Sequence, residues 1–179
     1  MLYWKYPKAV DASVCKDIVA LATDKWEPST VNGGGSDSRS SDTVWCNEQW
    51  VYDLVFGYME DANKSSGWNF DMANAEGMQI TRYKVGDRYD YHQDGDGYSV
   101  YDDPDNVWIH GLTRKLSLTI VLNNEYEGGD FQFIGDEELI REKMGTVIVF
   151  PAYQVHRVKP VTSGVRYSLV TWFVGKPFR

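Results

Sequence analysis

The sequence predicts a mostly β protein, a sheet sandwich or barrel supported by two helices. Three observations carry this prediction. About eight short β-type segments follow two segments with helical spacing of apolar residues. Aromatic residues make up 15% of the chain, with seven Trp and twelve Tyr, which indicates a rigid interior or an aromatic-lined cleft. The length of 179 residues suits one domain with a sizeable core, so we expect a single domain over residues 1–179.

The first 75 residues are predicted to support the core. Helices are predicted over residues 13–23 and 48–62, because apolar residues recur there at helical spacing. Their candidate N-caps are Asp11 or Ser13 for the first and Asn47 for the second. Short strands and a loop rich in Gly and Ser fill the rest, with strands at 2–6, 26–31 and 43–46 and the loop at 32–41.

Residues 76–175 are predicted to form the β core. In the segment 115–123 the leucines and Ile120 lie on one face, while Ser117, Thr119 and Val121 lie on the other. The remaining strands are predicted at 78–85, 87–92, 131–134, 146–150, 155–158 and 167–174. The polar segment 95–111 is long for a hairpin and is predicted to be an active-site lid.

Composition limits the partners and the compartment. The net charge of -8 argues against a non-specific grip on nucleic acid. Two cysteines, Cys15 and Cys46, are too few for a disulfide framework, which favours a reducing compartment. The N-terminus has no signal-peptide pattern, and no stretch approaches the roughly 20 apolar residues of a membrane span. We therefore expect a cytoplasmic monomer without membrane or nucleic-acid partners.

The segment 83–94 contains the residues that first indicate chemistry. In a strand the side chains alternate, so His92 and Asp94 are expected on one face with Asp90, and Tyr89 and Tyr91 on the other. An imidazole and a carboxylate side by side form part of a facial triad, which suits ferrous iron because three coordination positions stay open. A surface pair in a polar loop is the alternative interpretation of this short motif.

Two later residues could complete such a site. Only three histidines are present, and His156 follows a β-rich segment that ends in Phe150-Pro151. Arg166 comes ten residues after His156. A guanidinium is the group that grips a carboxylate through two hydrogen bonds. His110 has no comparable partner pattern and is interpreted as a surface or lid residue.

Together these motifs resemble the iron(II)- and 2-oxoglutarate-dependent oxygenases, specifically the prolyl 4-hydroxylase-like group. The resemblance spans residues 76–175 and rests on the motifs above, on the run from Arg114 to Asn123 and on Gly128-Gly129-Asp130-Phe131. It implies a double-stranded β-helix, a jelly roll of two sheets with helices on one side. It also implies Fe(II), 2-oxoglutarate and O2 as cofactors or co-substrates, with ascorbate as a further expected cofactor.

The resemblance also implies roles for individual residues. His92, Asp94 and His156 correspond to the iron ligands. Three further residues are implied in co-substrate binding: Arg166, Tyr83 and Ser117. Collagen-type prolyl hydroxylases often have Lys where this chain has Arg166. Trp172 and Arg39 are expected in the substrate cleft.

The expected reaction is hydroxylation of a prolyl residue in a protein or peptide. The same chemistry on a free amino acid, another side chain or a small metabolite is the nearest alternative. A non-catalytic jelly-roll module that keeps a metal is a third possibility. The aspartates at positions 102, 103 and 105 are interpreted as solvated loop charges that could attract a basic substrate segment.

Overall fold

The computed structural model describes residues 1–23, 25–30, 37–135 and 142–178. Two helices, α1 (Ala12–Ala20) and α2 (Gln49–Ser65), lie in the first third of the chain. The strands of this region are β1 (Trp4–Tyr6), β2 (Glu27–Pro28), β3 (Arg39–Ser40), β4 (Asp42–Cys46) and β5 (Asn74–Ala75). The later strands are β6 (Met78–Tyr83), β7 (Arg88–His92), β8 (Thr113–Val121), β9 (Tyr126–Gly128), β10 (Phe131–Phe133), β11 (Val147–Pro151), β12 (His156–Val158), β13 (Val161–Gly164) and β14 (Arg166–Gly175).

A large antiparallel sheet forms the base of the fold. Its strands run in the order β1-β11-β8-β14-β6-β4-β2, and β5 pairs with β14. The central strand β8 is buried along nearly its whole length, because helices cover one face and the second sheet covers the other. Its leucines and Ile120 join the core beneath α1 and α2, as the alternation of the sequence predicts.

A smaller sheet packs over the opposite face of the large one. Its order is β10-β12-β7-β3, and a separate pair joins β13 to β9. An aromatic cluster fills the space between the two sheets, with contributions from both: Tyr83, Phe131, Phe133, Ile148, Phe150, Val158 and Val161. Two facing antiparallel sheets with helices on one side confirm the predicted jelly roll.

Several local predictions differ from the structure. Strand β3 lies inside the predicted loop 32–41, because it pairs with β7 in the smaller sheet. Neither helix receives a side-chain cap, and α2 begins after Glu48 rather than after Asn47. The predicted strand 26–31 is only two residues long, and its last position, with residues 32–36 of the loop, lies outside the described residues. Within the described part of the chain, no helix is long and apolar enough to cross a membrane.

A bulge in β7 changes which of its side chains share a face. Across from β12, His92 pairs with His156 and Tyr89 pairs with Val158, so β7 has one residue more than its partner. The extra residue interrupts the alternation and brings Tyr89 to the same face as His92. The prediction that Tyr89 lies on the opposite face is therefore wrong, whereas Tyr91 is exposed there.

Candidate active site

Three potential metal ligands meet where β7 and β12 pair. His92 is the last residue of β7, Asp94 follows two residues later, and His156 begins β12 directly opposite His92. One ligand atom from each residue lies within 4.8 Å of the other two. All three side chains are largely shielded from solvent. The sheet register thus joins two segments that are about sixty residues apart in sequence.

Backbone carbonyls orient both imidazoles. Nδ1 of His92 donates to the carbonyl of Asp90, and Nδ1 of His156 donates to that of Gln154, each at 2.8 Å. When Nδ1 carries the hydrogen, a neutral imidazole has its free lone pair on Nε2. The two Nε2 atoms face the Asp94 carboxylate, at 3.4 Å from Oδ1 and 3.7 Å from Oδ2. Such outer hydrogen bonds are typical of metal-ligating histidines.

The electrostatics of this group suit a cation. Burial lowers the pKa of His156 to about 4, so its ring is neutral at neutral pH. Burial alone would raise the pKa of Asp94, but His156 and His92 outweigh it and hold that pKa well below its ordinary range. The neutral His156 ring and the Asp94 carboxylate therefore converge with His92 as potential electron-pair donors. Two histidines and one carboxylate fit ferrous iron.

Ser117 and Arg114 hold Asp94 in place. The Ser117 hydroxyl donates to Oδ2 of Asp94 at 2.6 Å, and Nη1 of Arg114 donates to its backbone carbonyl at 3.1 Å. The structure thus places Ser117 against a ligand carboxylate. Thr119, two residues further along the same face of β8, lines the adjoining cavity instead.

The inner cavity adjoins the three ligands and lies between the two sheets. At its far end Arg166 is only 2% exposed, and its guanidinium carbon lies 5.4 Å from the ring centre of Tyr83. Nη1 donates to the Ser168 hydroxyl at 3.1 Å, whereas Nε has no hydrogen-bond partner. Among the described residues, no carboxylate lies within ion-pair distance of Arg166. A buried cation without a counterion is costly, so an anion bound in this cavity would be stabilised by Arg166.

The Gly128-Gly129 turn leaves room for this arginine. Gly129 has a positive φ of 65°, and a Cβ there would lie 2.9 Å from Cδ of Arg166 and 3.1 Å from Cγ2 of Val161. Any side chain at this position would push the arginine from its place. The glycine pair in the sequence therefore serves the cavity as well as the turn.

A wider cleft opens from the ligands to the surface, with a volume of about 840 Å³. Arg39 and Trp172 line both the inner cavity and this outer cleft. Arg39 also lies over the Tyr89 ring, whose own face stacks on His92 with 3.4 Å between ring centres. The exposed indole of Trp45 contributes to the cleft wall.

A partly buried polar network supports the floor of the outer cleft. Arg114 donates to both carboxylate oxygens of Glu76, at 2.7 and 2.6 Å, and Tyr101 donates to Oε1 at 2.7 Å. The Arg114 guanidinium lies 3.9 Å over the Trp172 ring. The Trp172 indole N–H is buried without a partner, which leaves a donor for a bound molecule.

Sequence reasoning missed several of these residues. Thr119 could have been found, because it shares a face with Ser117. Nothing in the sequence indicated Tyr89, since its position depends on the bulge. Arg114 and Glu76 are far apart in sequence and meet only through the large sheet. His110 is exposed in the segment 95–111, away from the three ligands, as predicted.

The sequence profile of the 2OG-Fe(II) oxygenase superfamily matches residues 78–174, more than half of the chain. The chain belongs to this superfamily. The match confirms the resemblance predicted from the motifs. The superfamily implies Fe(II) and 2-oxoglutarate, and the His-Asp-His group described above fits the metal.

Individual relatives of this 2OG-Fe(II) oxygenase are hydroxylases. A PKHD-type hydroxylase of Psychrobacter sp. (strain PRwf-1) is 35% identical over 97 residues, which cover 52% of this chain and 36% of that protein. A PKHD-type hydroxylase of Synechococcus sp. (strain CC9902) is 37% identical over 97 residues, and the match covers 39% of its length. The matches thus span well under two thirds of these relatives.

Solved structures show the same fold. The viral collagen prolyl hydroxylase of Paramecium Bursaria Chlorella virus-1, in complex with 2OG, superimposes with a TM-score of 0.76 and 24% identity, covering 98% of this chain and 97% of that one. A prolyl hydroxylase of Trichoplax adhaerens, in complex with a peptide fragment of hypoxia inducible factor, gives a TM-score of 0.67 at 14% identity. That match covers 96% of this chain and 82% of the other.

Proposed function

We propose that this chain is an Fe(II)- and 2-oxoglutarate-dependent dioxygenase that hydroxylates a prolyl residue in a protein or peptide. In the balanced reaction, a substrate C–H, 2-oxoglutarate and O2 give C–OH, succinate and CO2. One oxygen atom enters the product alcohol and the other enters succinate. The iron, when bound, would supply the activation of oxygen that this chemistry requires.

The observation that carries the proposal is the buried cation beside the His-Asp-His group. Arg166 has no carboxylate partner among the described residues, and it lines the same cavity as His92, Asp94 and His156. A dicarboxylate that reaches both ends of this cavity would satisfy the guanidinium and the metal together. A metal site with a purely structural role would not explain why an arginine without a carboxylate partner is buried beside it.

Each residue then has a separate task. His92, Asp94 and His156 would hold the iron, and Ser117 would keep the carboxylate of Asp94 oriented. Arg166 would bind the distal carboxylate of 2-oxoglutarate, and Tyr83 and Thr119 would line its flank. Tyr89 and Trp172 would exclude water between the inner cavity and the substrate.

A protein or peptide substrate is supported by the outer cleft. It is open to solvent, and its rim carries exposed apolar side chains such as Trp45 and Val100. An extended chain could lie across it and place one side chain near the ligands. The peptide bound by the Trichoplax prolyl hydroxylase, which has the same fold, is consistent with this substrate class.

The test is an assay that detects product and co-product together. The protein is incubated with Fe(II), 2-oxoglutarate and air, with and without ascorbate, against proline-containing peptides, matched peptides with Ala for Pro, and free amino acids. Succinate is quantified, and mass spectrometry locates any added oxygen. We expect oxygen on proline in a peptide, with one succinate formed for each hydroxyl group.

Other outcomes would change the proposal in defined ways. Oxygen on a free amino acid or on another side chain would keep the dioxygenase and replace the substrate. Iron binding without succinate formation from any candidate would favour a non-catalytic metal module. Unchanged turnover without ascorbate would remove the expected ascorbate requirement.

A further inference from the structure

The segment after β14 crosses the start of the 95–111 segment at Gly97. The backbone N–H of Phe178 donates to the Gly97 carbonyl at 3.0 Å. Gly97 has a positive φ of 82°, and a Cβ there would overlap the Phe178 ring, at 2.6 Å from its Cε2 atom. The ring therefore occupies a notch that only glycine leaves open.

A buried cation lies against the same ring. Lys115 on β8 is 3% exposed, and its Nζ lies 3.2 Å from the centre of the Phe178 ring. Phe70 meets the ring edge-on with 5.0 Å between centres, and Tyr98 and Tyr153 lie at 6.3 and 6.0 Å. The ring is thus held between a cation and three aromatic side chains, an arrangement that favours one position.

This contact fixes a wall of the outer cleft. Directly beyond Gly97, Asp96 accepts hydrogen bonds from the backbone N–H groups of Tyr98 and Ser99, and Asp96, Ser99 and Val100 line the cleft. On the other side, Tyr153 accepts a hydrogen bond from the Gln93 side chain at 2.7 Å, one residue before the candidate ligand Asp94. Phe178 therefore contacts both the cleft wall and the loop before His156.

The rest of the 95–111 segment is also fastened. Tyr101 is bonded to Glu76, and the Asn74 side chain donates to the carbonyl of Trp108 at 2.8 Å. In this structure the segment predicted to be a lid is therefore tethered at both of these points. At its first turn the Phe178 contact acts together with the hydrogen bond from the Gly95 N–H to the Ala152 carbonyl, and the Tyr101 and Trp108 tethers lie further along the segment.

We propose that Phe178 is a positioning residue for substrate binding: clamped by Lys115, it holds Gly97 and thereby sets the wall formed by Asp96, Ser99 and Val100. The proposal rests on the proposed function, because it assumes that a peptide binds in the outer cleft. Phe178 acts through the wall and lies outside the inner cavity. Its loss should weaken peptide binding and leave 2-oxoglutarate binding unchanged.

The first experiment tests the clamp without any substrate. Hydrogen–deuterium exchange with mass spectrometry is compared in wild type, Phe178→Ala, Phe178→Tyr and Phe178→Leu. We expect faster exchange in residues 96–101 of Phe178→Ala, recovery in Phe178→Tyr and partial recovery in Phe178→Leu, which keeps bulk but lacks the aromatic face. Phe56→Ala is the matched control, because Phe56 packs edge-on against Phe173 at 5.3 Å beneath α2. Wild-type exchange in Phe178→Ala would overturn the proposal.

The second experiment separates positioning from general stability. With the best proline-containing peptide, Phe178→Ala should raise the KM for peptide about tenfold, while kcat and the KM for 2-oxoglutarate stay within about twofold. Phe56→Ala should lower the melting temperature without moving the KM for peptide. If Phe178→Ala and Phe56→Ala impaired peptide binding equally, or if Phe178→Ala shifted the KM for 2-oxoglutarate, the role of Phe178 would be merely structural.

A double-mutant cycle tests the notch itself. Gly97→Ala should impair peptide binding strongly in wild type and less in Phe178→Ala, since removal of the ring relieves the overlap. Additive effects would contradict the contact. If no peptide is turned over at all, the proposed function fails, but exchange still decides whether Phe178 holds the wall.

Discussion

The inner cavity and the outer cleft share a boundary at Trp172 and Arg39 but are built differently. The inner cavity is enclosed by buried strands, and its polar groups, Arg166 and Ser168, point inward. The outer cleft is lined about equally by strand residues and loop residues, and it carries exposed side chains such as Trp45 and Val100. The first region therefore suits one small anion of fixed shape, whereas the second suits a longer and more variable partner.

The contrast indicates that the inner cavity carries the chemistry and that the outer cleft carries the substrate specificity. Strand register fixes His92 and His156 to one another, and the packing of the two sheets places Arg166 in the same cavity. The wall of the outer cleft lies outside the sheets and is held by separate contacts along its length, among them Gly95 to Ala152, Tyr101 to Glu76 and Phe178 to Gly97. Substitutions in the two regions should consequently separate co-substrate and metal effects from peptide effects.

The largest effect is expected from the metal ligands. Asp94→Ala removes the carboxylate between the two imidazoles and should reduce coupled succinate formation by roughly a thousandfold or more. Calorimetric titration of Asp94→Ala with Mn(II), under the conditions of the succinate assay, should show that metal binding is lost. His110→Ala, an exposed histidine outside the group, is the control. Unchanged Mn(II) affinity in Asp94→Ala would contradict the assignment.

Arg166→Met should separate binding from stability. It removes the anion anchor, and the KM for 2-oxoglutarate should rise by about a hundredfold, as for loss of a buried charge partner. The same change removes an uncompensated buried cation, so the protein without ligands should melt at a higher temperature. Differential scanning calorimetry with and without 2-oxoglutarate checks both effects. Arg166→Lys should give values between those of the wild type and of Arg166→Met. If 2-oxoglutarate stabilised Arg166→Met, Arg166 would not be the residue that binds its distal carboxylate.

Ser117 and Thr119 offer a smaller and more discriminating test. The resemblance implies a co-substrate contact for Ser117, whereas the structure bonds it to Asp94. Ser117→Ala should weaken metal binding by about tenfold to a hundredfold and leave the KM for 2-oxoglutarate nearly unchanged. Thr119→Val should instead raise the KM for 2-oxoglutarate and leave metal binding nearly unchanged. The two affinities are measured side by side, and a raised KM for 2-oxoglutarate in Ser117→Ala alone would restore the implied role.

Trp45→Ala should have the smallest effect and should touch only the outer cleft. An aromatic contact contributes about 0.5–1.5 kcal/mol of free energy. Its loss therefore corresponds to a rise of at most about tenfold in the KM for peptide. Val85→Ala, an exposed apolar residue outside the cleft, serves as the control. Steady-state kinetics with a single peptide measure both. A change in the KM for 2-oxoglutarate instead would show that the two regions are coupled.

Much of the fold followed from periodicity. The alternation in β8 correctly placed its leucines and Ile120 on one face, and both helices lie within a few residues of their predicted ranges. The predictions failed where pairing decided the outcome. Strand β3 is too polar to be recognised alone and forms because β7 lies beside it. The first turn of 95–111 is fastened by Phe178, a contact across about eighty residues of sequence.

The chemical groups of the site could be recognised from the sequence alone: two histidines, an aspartate and an arginine at spacings that match one superfamily. The spacings within each segment, from His92 to Asp94 and from His156 to Arg166, are local, so alternation and motif matching can recognise them. Only the tertiary structure decided which face Tyr89 occupies, that Ser117 holds Asp94, and that Arg166 is buried without a counterion among the described residues. These facts depend on strand register, on a bulge and on burial, which are set by contacts between distant segments.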